Sequence, residues 1–460
     1  MKKYITLIIC SILLVFYINL NAYSFNYLNI FKVKAPIYIK TEKLDVINYN
    51  WWKNFNDNCL LNMIEKSIEK NHDLKSASLR TEEYREKINQ VFSNELPKAS
   101  IGAYYSGIKL PHISNIKDYQ QNGIIMPSIA SYEADILLKN HNKTQSERKA
   151  YLAKKYQEKS IYISLISDLA SCYINLIKTI KQAEIQKEII HIQEEILNRE
   201  YKKFNAGVIS KYDMNNEKQI LLKEKEKLDT YLKNKKILMS ELCVFIGESP
   251  VNFKDLKFKD FGLFEYNKKI PQEISSDIIF QRPDIIEIEY LLQQSKIDIK
   301  VARKELLPKF NIAGIFIFNT FGSGNFFSWE SSLASLLAGF TQDLFTGGKK
   351  ISYLKIKNNK YLQLLEKYYQ ANLNGIKEVN DALFKIKYDT KIDQEVISEK
   401  LIEKDTYNMN LNKYNKGTIS YPDLLKVNIK YLKKEQESID SKTIRLIDYI
   451  SLYKAVGGEL

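Results

Sequence analysis

The chain has 460 residues, with 69 Lys and Arg against 55 Asp and Glu, a net charge of +14. Hydrophobic residues make up 45% and charged residues 27%, with 16 Gly and 9 Pro, which supplies material for long cores and excludes collagen-like and low-complexity classes. Mean hydropathy is −0.33, and beyond the N-terminus no run approaches the roughly 20 apolar residues of a spanning helix, so a polytopic helical membrane protein is excluded while a β-barrel is not.

Lys2 and Lys3 precede an apolar stretch from about Ile5 to Ile18, followed by the small residues Ala22 and Ser24. This predicts a signal peptide over 1–22; an uncleaved anchor is the alternative. An extended segment is expected over 23–55. The isoelectric point near 9.1 raises nucleic acid or anionic lipid as partners. Lys is interleaved with Glu along long stretches, however, which reads as a solvated helical surface, and no nucleic-acid partner is expected. Cys10 lies in the leader, and Cys59, Cys172 and Cys243 are widely spaced. With no CxxC, HExxH, phosphate-binding loop or GxSxG, the sequence gives no catalytic residue, metal site or cofactor.

Prolines fall at 36, 97, 111, 127, 250, 271, 283, 308 and 422, so 128–249 and 309–421 are free of them and can hold very long helices. The two halves also match each other. "KFNAGVISKYDM" aligns with "KYNKGTISYPDL": Gly207, Ile209, Ser210 and Asp213 pair with Gly417, Ile419, Ser420 and Asp423, and 417 − 207 gives an offset of 210. "NHDL" at 71 pairs with "RPDI" at 282, and "ELPKASIGA" at 95 with "LLPKFNIAG" at 306. This is an internal duplication, read here as repeats over 56–250 and 251–460.

Each half begins with a helix of about 38 residues, Asn56 to Phe92 in the first. Two strands follow around a polar loop: Ala99–Lys109 and Ile124–Leu138 in the pair at 99–138, and Lys309–Thr320 and Glu330–Phe345 in the pair at 309–345. In "KFNIAGIFIFNTF", Phe310, Ile312, Phe316 and Phe318 share one face. Long helices follow over Lys139–Asn205 and Lys349–Asn415. In the first, Leu165, Leu169, Tyr173, Leu176, Ile180 and Ala183 are spaced as in a coiled coil. Gly207 and Gly417 end the long helices, and Ser210 and Ser420 cap return helices of about 37 residues. In the first half Leu137 and Leu138 stand where the second has Gly347 and Gly348. Four strands cannot close a barrel, whereas three copies would supply twelve.

The ordered series "WWKNFND", "NHDLKSASLR", "ELPKASIGA", "SYEADI", "FNAGVISKYD", "IGESP", "QRPDIIEIEYLLQQSKIDIKVARKELLPKF", "TQDLFTGGK" and "LYKAVGGEL" resembles the outer membrane efflux proteins, the TolC-like channels. It is most similar to the NodT/OprM-type branch that serves resistance-nodulation-division (RND) pumps. The resemblance implies an α+β membrane protein that forms a homotrimer. Four strands per chain make a twelve-stranded β-barrel in outer-membrane lipid, and a long α-helical barrel projects into the periplasm. It implies a passive exit duct for small molecules, joined by a periplasmic adaptor to an inner-membrane pump. That branch often carries a lipidated Cys before a Pro-x-Tyr segment; here Pro36 and Tyr38 have no Cys closely before them, and no lipid anchor is assigned.

The resemblance places a periplasmic gate at "GTISYPDLLKVN", with Tyr421, Asp423 and Lys426, and adaptor contacts at Gly207, Ser210, Asp213, Gly417 and Ser420. Asp423 and Lys426 stand three residues apart on one helix and are expected to offset each other, giving weaker cation selectivity than an all-acidic ring. Tyr104, Tyr105, Phe326, Phe327 and Trp329 are expected at the strand ends as an aromatic girdle. Two other readings stay open: a conduit of type I protein secretion, and an envelope coiled-coil structural protein with no channel.

Overall fold

The computed structural model describes residues 48–109, 119–250, 261, 264–268, 270–271, 274–275, 277–319 and 332–458. The signal segment at 1–22, Phe326, Phe327, Trp329 and the side chains of Tyr104 and Tyr105 lie outside what is described.

Chain entry is fixed by α1 (Tyr49–Lys53). Trp51 stacks on Tyr453 at 4.4 Å and Trp52 meets the same ring edge-on at 5.1 Å, while Phe55 packs on Phe264 at 5.5 Å. These rings are fully buried. Such pairs add about 0.5–1.5 kcal/mol each beyond their burial, so the "WWKNF" segment fastens the start of the described chain to its end.

The helix expected over Asn56–Phe92 is two helices, α2 (Asn58–Lys70) and α3 (His72–Phe92). Asn71 breaks it. Its backbone is extended, and its Oδ1 accepts the N–H groups of Asp73 and Leu74 at 2.8 and 3.0 Å. Its Nδ2 donates to the Phe245 carbonyl at 2.9 Å. A short amide that satisfies backbone groups outside its own helix outcompetes helix continuation. In the second half, α6 (Asp277–Phe280) and α7 (Pro283–Lys304) break at Arg282. Arg282 donates to the Ala455 carbonyl at 2.7 Å and holds Asp284 through two bonds at 3.0 and 2.8 Å. Since 245 + 210 = 455, the two breaks dock on equivalent helix ends.

The sheet contains β1 (Lys98–Lys109), β2 (Tyr119–Glu133), β3 (Lys309–Asn319) and β4 (Ser332–Thr341), antiparallel in the order β1-β2-β3-β4. Lys98 pairs with Ala130, Glu133 with Asn311, and Lys309 with Thr341, so all four helix junctions share one end of the sheet. β2 stops five residues short of the expected Leu138. Residues 134–138 turn instead, and the Asp135 carboxylate accepts the N–H groups of Asn140 and His141 at 2.9 and 2.7 Å, at the start of the next helix.

The long helices are α4 (Lys139–Asn205) and α8 (Lys349–Asn415), with return helices α5 (Lys211–Phe245) and α9 (Tyr421–Ala455). Each long helix spans about 100 Å at 1.5 Å per residue. Their burial differs sharply. α4 packs against α3, α5, α7 and α9, and over 163–196 it is buried on several faces rather than along one coiled-coil seam. α8 packs against α7 and α9. It buries Gly375, Val379, Ala382 and Asp393 and leaves Leu362, Tyr369, Leu373, Phe384, Tyr388 and Leu401 exposed.

Both strand-to-helix turns put a left-handed residue immediately before the helix, although the second has two in a row, Gly347 and Gly348, and the first has only Leu138. Gly348 precedes α8 with φ +80°, and Leu138 precedes α4 with φ +55°. A residue with a Cβ pays about 1–2 kcal/mol in this region, and glycine returns about 0.4–1 kcal/mol of that through unfolded-chain entropy. Leu138→Gly is therefore expected to stabilise the fold by about 0.5–1 kcal/mol. A Tm about 1–3 °C higher in a detergent melt is the expected reading; a lower Tm would show that the Leu138 side chain matters more than its backbone.

Candidate gate at the helix tips

Both long helices end in the same hydrogen-bonded turn. Gly207 and Gly417 take φ +71° and +69°. The next residues, Val208 and Thr418, donate back to Lys203 and Lys413 carbonyls at 2.9 and 3.0 Å. This six-to-one bond needs a left-handed residue, which glycine adopts freely.

The return helices start on Ser210 and Ser420. In the first tip the Asp213 N–H donates to Ser210 Oγ at 3.2 Å and the Ser210 N–H donates to the Asp213 carboxylate at 3.1 Å, a complete capping box. The Ser210 hydroxyl and backbone bonds hold the Asp213 carboxyl below the usual carboxylate range. In the second tip the Ser420 hydroxyl donates to Asp423 at 2.5 Å, and the Asp423 N–H donates to Ser420 Oγ at 3.3 Å.

Asp423 and Lys426 are not brought together as a pair. Asp423 is held by its own cap, and Lys426 donates to Glu217 of α5 at 2.9 Å. A partner on a facing helix holds Lys426 where the i, i+3 neighbour was expected to. The expected mutual offset within α9 is therefore corrected to a bond between α9 and α5.

Tyr421 is fastened as well. Its hydroxyl donates to Glu195 of α4 at 3.4 Å, and the Arg199 guanidinium lies 4.3 Å from its ring centroid. Burial and the Glu195 charge push the Tyr421 phenol up.

Behind the tip the bonding repeats. Gln193 of α4 donates to Glu217 at 2.7 Å, and Glu217 also accepts from Lys426. One heptad away Gln186 donates to Glu224 at 2.7 Å, and Glu224 also accepts from Lys433 at 2.5 Å. Gln436 of α9 continues the series by donating to Gln186 at 3.1 Å and accepting from Lys227 at 3.0 Å. Burial pushes Glu224 up, but the bonds from Lys433 and Gln186 and the nearby Lys charges outweigh it and hold the carboxyl below its usual range. On its other side α9 is tied to α8 by Lys430–Glu403 and Lys434–Glu399, both at 2.7 Å. The gate reading of the sequence missed Glu195, Arg199, Glu217 and Glu224. The available signal was a carboxylate recurring at seven on α5 and a lysine recurring at seven on α9.

The first tip also exposes Val208 and Tyr212, at 70% and 79% of their full surface. No capping role explains either side chain.

The profile of the family described as "Outer membrane efflux protein" matches residues 63–239 and 274–458. The chain is 22% identical over 431 residues to the cation efflux system protein CusC of Escherichia coli, covering 89% of each chain. It is 24% identical over 439 residues to the antibiotic efflux pump outer membrane protein ArpC of Pseudomonas putida, covering 92% of this chain and 88% of that one. Its fold superposes on the CmeC outer membrane channel of Campylobacter jejuni with a TM-score of 0.82 at 22% identity, over 90% of this chain and 88% of the other. The fold is thus the TolC-like one. The chain belongs to the outer membrane efflux protein family and is an outer-membrane component of an efflux system.

Proposed function

We propose that the chain works as a homotrimeric, non-enzymatic exit duct, with repeats over 56–250 and 251–460. Its strands form a twelve-stranded barrel in outer-membrane lipid, its helices a periplasmic conduit, and its cargo is small molecules. The observation that carries this reading is an unfinished surface. β1 and β4 are edge strands of 12 and 10 residues, and exposed backbone edges of that length are a liability unless another chain pairs with them. The exposed apolar side chains of α8 call for the same cover. Three copies give 3 × 4 = 12 strands. An envelope coiled-coil protein would have no use for the sheet. Reconstitution into planar bilayers tests the reading: stable single-channel steps are expected, and a purified trimer that never conducts would overturn it.

The gate is placed at Tyr421, Asp423 and Lys426, with the cross-links from α9 to α4 and α5 holding it shut. A periplasmic adaptor, coupled to an inner-membrane pump of the RND type, docks at the turns around Gly207, Ser210, Asp213, Gly417 and Ser420. The exposed Val208 and Tyr212 supply the apolar part of that contact. Tyr212→Asp leaves the cap bonds untouched, and is expected to cost about 2 kcal/mol of adaptor affinity, roughly thirtyfold. Co-purification with the adaptor, or restored drug resistance in an efflux-deficient host, reads this out. Wild-type binding by the variant would remove Tyr212 from the contact.

A further inference from the structure

We propose that the junction where β2 turns into α4 and α7 turns into β3 binds the headgroup of an anionic glycerophospholipid. This rests on the outer-membrane reading and deepens it. The two turns are adjacent: the Ala134 N–H donates to the Phe310 carbonyl at 2.8 Å, and Lys304 Nζ donates to the Leu138 carbonyl at 3.3 Å. Between them lies a small concavity lined in part by Lys139, Lys304 and Lys309.

Positive charge is in excess here. Lys139, Lys143 and Lys309 all lie against one carboxylate, Glu305, at 3.7, 3.2 and 3.8 Å. Glu133 is taken by Lys139 at 2.5 Å, and the Asp135 carboxylate is taken by the backbone of α4. Lys304 has no carboxylate partner among the described residues and bonds only the Leu138 carbonyl there. The four lysines Lys139, Lys143, Lys304 and Lys309 against Glu133, Asp135 and Glu305 give 4 − 3 = +1 per chain.

The rim is apolar. Ile136, Leu138 and Leu307 are exposed at 66%, 55% and 44%. All four strands meet their helices at this end of the sheet, which is where a membrane-spanning sheet meets the headgroup layer. A free anion has no use for three exposed aliphatic side chains, whereas a phosphodiester with acyl chains beside it uses both the cations and the rim. The occupant is therefore a membrane lipid of net negative charge.

Lys304→Ser removes the lysine of the cluster that has no carboxylate partner among the described residues, together with its exposed bond to the Leu138 carbonyl, and spares the Glu305 cluster, so the folded assembly is expected to be kept, as circular dichroism would verify. Native mass spectrometry of the detergent-extracted full chain, given equal phosphatidylglycerol and phosphatidylcholine, reads the preference. The wild type is expected to retain the anionic lipid about tenfold better, and the variant to retain both alike. Equal retention by the wild type, or an unchanged preference in the variant, would overturn the proposal. So would displacement by millimolar inorganic phosphate, which would mark a plain anion site. Outer-membrane fractionation separates the two levels: protein in that fraction without a lipid preference sinks this site alone, and protein absent from it sinks the outer-membrane reading beneath.

Discussion

Gly247→Ala is expected to lower stability by about 2–5 kcal/mol, enough to deplete the assembled protein. Gly247 ends α5 with φ +71°, and a Cβ there would lie 2.6 Å from the Lys70 carbonyl oxygen and 2.8 Å from its carbon. That backbone belongs to the break between α2 and α3 and cannot swing away, so overpacking of about 1–3 kcal/mol adds to a left-handed penalty of about 1–2 kcal/mol. Gly207→Ala is the matched control: φ is again +71°, yet nothing lies within 4 Å of the added carbon, so the conformational penalty stands alone. Side-by-side denaturation of the two variants in detergent should give the larger loss at Gly247. Equal losses would mean the junction yields and is not the rigid joint described here. Gly457, at φ +69° with Pro283 Cδ 2.7 Å from the added carbon, should repeat the effect in the second half.

Glu217→Gln combined with Glu224→Gln is expected to open the candidate gate. The double variant keeps neutral hydrogen bonds but removes both charges that hold Lys426 and Lys433. The Lys426–Glu217 pair is partly exposed and screened, worth about 0.5–1 kcal/mol. The buried Glu224, bonded by a lysine and a glutamine, adds about 1–2 kcal/mol. Loss of about 2 kcal/mol from the closed arrangement moves the open-to-closed ratio about thirtyfold. Bilayer recordings should show longer and larger openings in the variant. A conductance trace indistinguishable from the wild type would remove these layers from gating. The pH dependence follows with a definite sign. Glu224 is held below its usual range, so its contribution to closure is fully present above the unfolded value, about pH 4.3, and fades as pH falls through the lower folded value. Acid below the usual carboxylate range should open the wild type and change the double variant little.

The duplication, the long helices and the sheet were legible because each has a strong local signature. α4 and α8 begin and end where the proline-free spans, the Gly pair and the αL glycines put them. The break at Asn71 was not legible, because an amide within an otherwise helical pattern looks like any surface residue until Phe245 is brought beside it. The "RPD" segment was visible as a motif, but its work at Ala455 depends on a helix end some 170 residues away. The same limit applies at the tip. Capping by Ser210 and Ser420 is local and could be read directly. The partner of Lys426 is a carboxylate on another helix, and helix periodicity alone pointed to the wrong neighbour, Asp423. The lack of a coiled-coil seam in α4 has a related cause, since the number of neighbours a helix has is a property of the fold.

Electron microscopy of the detergent-extracted particle tests the central claim most directly. A hollow threefold cylinder of about 140 Å is expected, from about 100 Å of helix and about 40 Å of membrane-spanning barrel. A solid rod, or a particle with twofold symmetry, would contradict the duct: the edges of β1 and β4 would then not close around a pore.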